Sequence, residues 1–93
     1  MDIIQIGGKH YTVDFCDSTI KYGDSRAGFC RTDIQIIVIN NRNPFESQVE
    51  VLLHEVIEII NGQCTLDLTH QTISTLGELL FQVLPQISKL LKE

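Results

Sequence analysis

One stretch constrains the fold more than any other. The run from Phe45 to Asn61 reads as an amphipathic helix. At about 100° per residue, Phe45, Val49, Leu52, Leu53, Val56, Ile57, Ile59 and Ile60 fall on one broad arc. An apolar arc that wide needs a second layer to cover it. Ser47, Glu50, His54, Glu58 and Asn61 fall on the opposite side, with Glu55 beside them. His54 and Glu58 are four apart, so their side chains leave one face of the helix a turn apart. An imidazole and a carboxylate so placed can share one metal ion. Glu55 is rotated away from the pair, yet it can reach water on that metal.

The pattern His54-Glu55-x-x-Glu58 differs by one residue from His-Glu-x-x-His, in which two histidines hold zinc and the glutamate is the general base of a metalloprotease. Zinc accepts carboxylate oxygen at nearly the distance it accepts imidazole nitrogen. Glu58 in the second histidine's place therefore preserves a site. It adds negative charge, which makes zinc a weaker Lewis acid.

A chain of 93 residues holds one domain with a modest core, which a metal or a partner subunit can reinforce. The net charge of −5, with no basic cluster, argues against nucleic acid and against anionic membrane. No apolar run is long enough to span a bilayer, and the start lacks a signal-peptide pattern. The expected compartment is the cytoplasm. Cys16, Cys30 and Cys64 are odd in number and widely spaced, which predicts buried reduced thiols.

Along the chain, Ile3, Ile4 and Ile6 predict a strand, Gly7-Gly8 a two-residue turn, and the alternation of Tyr11, Val13 and Phe15 a second strand. Residues 16–32 are rich in turn formers. Within them Ile20 and Tyr22 suggest a helical turn or strand tucked under the sheet, and Arg26 and Arg31 read as surface residues. The β-branched run from Asp33 to Ile39 predicts a strand. Asn43 is the expected N-cap before Pro44, and Asn61-Gly62 the expected helix stop. Thr69 caps a second helix, His70 to Leu84, whose leucine stripe is expected to be core. Pro85 is expected to end or kink that helix, with Ile87, Leu90 and Leu91 on a last short one, packed on the core or against another subunit. The predicted fold class is α+β: a small, mostly antiparallel sheet, the N-terminal hairpin plus strand 34–39, packed on helix 45–61 and helix 70–84.

A catalytic zinc takes three protein ligands and leaves a fourth position to water. The connection after Gly62 is short, which favours antiparallel helices and brings the start of the second near the end of the first. His70 stands there and is the best third ligand, ahead of His10 and Asp67. Cys64 is a lesser thiolate candidate, and Cys64 or Asp67 could close a purely structural site. The implied chemistry is peptide hydrolysis: zinc polarises a carbonyl and acidifies its water, and Glu55 carries the proton to the leaving amine. Strand 34–39, if at the sheet edge, could pair with an extended peptide substrate.

The segments Leu52-Leu53-His54-Glu55-Val56-Ile57-Glu58, Leu68-Thr69-His70-Gln71 and Phe81-Gln82-Val83-Leu84 resemble those of small phage-borne zincin-like metallopeptidases. These are distantly similar to the metallopeptidase domains that cleave phage-type repressors. The likeness covers Ile34 to Leu84. It implies a small sheet over an active-site helix, with His54 and His70 as zinc ligands, Glu55 as general base and a bacterial host cell as the setting. Glu58 departs from the fuller motif. The same residues also fit a solvated polar helix face, and hence a non-catalytic phage or host interaction module on a zincin-like scaffold.

Overall fold

The computed structural model of the chain describes residues 2–92. Its elements run β1 (Asp2–Ile6), β2 (Lys9–Cys16), α1 (Ser18–Tyr22), β3 (Gly28–Arg31), β4 (Ile36–Asn40), α2 (Phe45–Cys64) and α3 (His70–Leu91). The class is α+β, as expected. The four strands form one mixed sheet in the order β1-β2-β4-β3. Two of its pairings are antiparallel, and the central one, β2 with β4, is parallel.

The hairpin forms where the sequence places it. Gly7 and Gly8 both have positive φ, at 57° and 82°, the pattern a tight two-residue turn requires. Tyr11 and Val13 then face α2 with Ile37 and Ile39, and Ile59 of the helix completes that core. Each such fully buried side chain contributes roughly 1.5–3 kcal/mol of transfer free energy. The Tyr11 hydroxyl, deep in this layer, accepts a 2.8 Å hydrogen bond from Gln63 Nε2. That bond ties the sheet to the last turn of α2.

The opposite sheet face is covered by α1, which is capped by Asp17 at its start and by Gly23 at its end. Here the expected alternation of β2 fails. Asp14 is buried, held by Lys21 Nζ and the Tyr22 hydroxyl, while Phe15 is partly exposed. Tyr22 packs edge-on against Phe29 of β3. Ile20 does not tuck under the sheet; it is 82% exposed.

Several expected boundaries are corrected. The strand predicted over 34–39 begins at Ile36, because Gln35 takes a positive φ of 53° and Ile34 lies exposed in the preceding turn. It is an internal strand; the edge beside the helices is β3. Asn43 is not the N-cap. Pro44 occupies that position without a side-chain hydrogen bond, and the Asn43 carbonyl instead accepts from Gln48 Nε2. The Asn61-Gly62 pair does not stop α2, which runs on to Cys64 and ends where Thr65 turns left-handed. The added turn carries Gln63, the residue that bonds to Tyr11.

Pro85 does not divide α3, which is continuous from His70 to Leu91. The leucine stripe of that helix is not core. Only Ile73 and Gly77 are buried, whereas Leu79, Val83 and Leu84 are 52%, 41% and 43% exposed. Phe45, assigned to the apolar arc of α2, is exposed at its first turn. No helix among the described residues is long and apolar enough to cross a membrane.

Candidate metal centre

The helices α2 and α3 are joined by residues 65–69 and lie side by side as antiparallel neighbours. Thr69 caps α3 as the sequence predicts, accepting from the Thr72 amide. The cap fixes His70 as the first helical residue, opposite the middle of α2. Gly77, about two turns further along α3, passes close to the His54 backbone; a Cβ there would lie 3.8 Å from His54 Cα. The helices approach closely where the motif sits, with room there for an ordinary Cβ contact.

Three predicted ligands converge. His54 Nε2 lies 3.7 Å from Glu58 Oε1, and His70 Nδ1 lies 4.0 Å from the same oxygen. The rings of His54 and His70 meet edge-on with centroids 5.2 Å apart. One ligand atom from each residue falls within 4.8 Å of the others. Tetrahedral zinc with bonds of about 2.0–2.1 Å spaces its ligand atoms about 3.3 Å apart. Small side-chain rotations close that difference, and His70, whose side chain is 80% exposed, is free to make them. Two imidazoles and one carboxylate are also an established catalytic zinc set, with one position left over. The residues therefore fit the ion. Among the described residues, neither Cys64 nor Asp67 joins the group, so no fourth protein ligand closes it. His10 pairs with Gln5 on the exposed hairpin and takes no part.

Glu55 has the least expected environment. The helical wheel places it beside the polar face, yet it is 9% exposed. It leans toward β3, beside Phe29 and Cys30. Burial raises its pKa, while the nearby His54 opposes that shift. Burial, reinforced by the Glu55 charge, pushes the Cys30 thiol up to about 11. Cys30 is therefore a protonated thiol at neutral pH, neither a ligand nor a nucleophile. The prediction of buried thiols holds partly: Cys16 and Cys30 are half-buried, and Cys64 is exposed.

Glu55 and His54 line two clefts. One, of about 390 Å³, is walled by Arg26, Phe29, Cys30, Glu58 and His70. The other, of about 380 Å³, runs past Gly28, Ser47, Glu50, Ser74 and Glu78. The sheet-edge strand β3 borders both through Gly28. Arg26 reads from sequence as a surface residue. It is exposed, but it is steered into the first cleft by a fork on Asp24, at 2.7 Å from Nη2 to Oδ2, and by stacking on Phe29. Neither Arg26 nor Cys30 could be found from spacing. Both depend on β3, a strand of four residues with too few positions to show a period.

Compared with models of protein families, with curated proteins and with solved structures, the chain finds no match.

Proposed function

We propose that this chain is a zinc-dependent metallopeptidase-like protein that hydrolyses peptide bonds, on a zincin-like arrangement of sheet and helices. The observation that carries this reading is the convergence of His54, Glu58 and His70 from two helices, with Glu55 buried one residue from His54 and open to the same clefts. His54, Glu58 and His70 would hold the ion. When bound, zinc would polarise the scissile carbonyl and make water a competent nucleophile at neutral pH.

The protein's own residues supply the rest. The Glu55 carboxylate takes a proton from the attacking water and delivers it to the departing amine. Partial burial strengthens its hold on that proton, which a group that must carry it between two atoms requires. The Cys30 thiol lines the same cleft as Glu55 and stays protonated there. The substrate is a protein or peptide, and β3 offers the free edge beside which an extended segment can lie. The cytoplasm, that of a bacterial host if the chain is phage-encoded, is the matching compartment.

Elemental analysis of protein purified without chelator or added metal tests the site; about one zinc per chain is expected, and none would end the proposal. Glu55→Gln tests the chemistry. It should keep the zinc and lower hydrolysis of an unfolded protein substrate by about 10²–10⁴-fold. The alternative, a non-catalytic interaction module on the same scaffold, is favoured by the exposed apolar face of α3. It requires that Glu55→Gln leave function intact.

A further inference from the structure

The residues Leu76, Leu80, Val83, Ile87 and Leu90 follow one another at alternating steps of four and three. That is the spacing of the a and d positions of a coiled-coil heptad. On α3 all five are exposed, from 36% at Leu80 to 69% at Leu90. Leu79, Leu84 and Leu91 flank the same stripe and are exposed too. By helical angle the stripe centre lies about 80° round from the Ile73–Gly77 face that packs on α2, and the exposure of its residues leaves it uncovered by α2. The charged residues Glu78 and Lys89 lie on the far side of the helix by the same reckoning.

We propose that this stripe is the surface through which two copies of the chain associate, with their α3 helices side by side and antiparallel. The inference is independent of the metal centre. The five stripe residues expose the equivalent of little more than two whole leucines, and with the flanking Leu79, Leu84 and Leu91 about four, on the order of 700 Å², close to one side of a standard stable interface. A lone soluble monomer seldom presents so large a contiguous apolar patch.

A two-fold contact must be self-complementary. An uncharged heptad stripe meets that condition, and the acidic character of the chain lies elsewhere. The antiparallel direction follows from the spacing: the steps of four, three and four from Leu76 to Ile87 read the same from either end. In the antiparallel arrangement Leu76 meets the other copy's Ile87, and Leu80 meets its Val83. Leu84, which flanks the stripe, also lines an apolar groove of about 510 Å³ on the α2-facing side of α3, with Val49, Leu52 and Val56 opposite.

Sedimentation velocity of the full chain across the micromolar to millimolar range tests the proposal. The expected species is about 21 kDa, twice the 10.5 kDa of one chain. The double variant V83E/I87E should sediment as a monomer with an unchanged circular dichroism spectrum. The milder V83S/I87S should weaken association at least about tenfold, and covers the case in which the charged variant misfolds. Ile20→Glu, on the exposed face of α1, should leave the dimer intact. A wild-type monomer at every concentration would overturn the proposal. So would a dimer indifferent to both stripe variants, or a monomer that floats with neutral phosphatidylcholine vesicles.

Discussion

His70 Nδ1 stands 4.0 Å from Glu58 Oε1, although the two residues belong to different helices. The candidate metal site is therefore assembled only when α2 and α3 are docked. His54→Ala should abolish zinc retention. His70→Ala should weaken zinc binding by more than about 100-fold, beyond the cost of losing a mere orienting partner. His10→Ala should change nothing. Competition with a chromogenic chelator measures all three, and equal affinity in wild type and His70→Ala would remove His70 from the ligand set.

Asp14 sets a part of the acid stability. The hydrogen bond from Lys21 holds its carboxyl below the ordinary value of 3.8, with Tyr22 adding to the effect. A depressed carboxyl stabilises the fold above its unfolded pKa, and that contribution is lost as pH falls through the folded value. Asp14→Asn should cost about 1–3 kcal/mol at neutral pH. The variant and wild type should converge in urea melts once the pH is below that window. Glu55 contributes with the opposite sign, since its raised pKa favours the fold at lower pH and loses that advantage as pH rises. Glu55 is common to both proteins, so the comparison isolates Asp14.

Two glycines should respond oppositely to alanine. At Gly28 a Cβ would lie 2.5 Å from Val51 Cγ1 and 3.1 Å from the Val38 carbonyl, where α2 presses on β3. Gly28→Ala should destabilise by about 1–3 kcal/mol. At Gly77 the nearest atoms are 3.8 Å away, an ordinary contact, and the site is mid-helix. Gly77→Ala should stabilise by about 0.5–1 kcal/mol. Thermal melts of the metal-free proteins separate the two.

The hairpin, the central helix, the Thr69 cap and the three converging side chains are legible because each rests on local periods or on a short connection. The amphipathic arc of α2 fixes which side meets the sheet, and residues 65–69 are too few to let α3 go anywhere but back. What was not legible is non-local. β3 has no period to read, and its partner is chosen by the twin apolar faces of β4. Glu55 looks polar and solvated on a helical wheel, because the wheel does not know that β3 will lie over it. The leucines of α3 look like core for a related reason. Periodicity reports that a face is apolar, and the packing alone decides whether this chain has anything to cover it.

The parallel seam at the centre of the sheet has a kinetic consequence. Every pair across it, from Thr12 with Ile36 to Cys16 with Asn40, joins residues 24 positions apart. The hairpin can close in microseconds from neighbours in sequence. The seam must wait for a long loop to return and loses chain entropy before it gains contacts. Folding of this small domain should thus be timed by one closure, with the Ile37–Ile39 segment reaching its slot last and the hairpin waiting as its template.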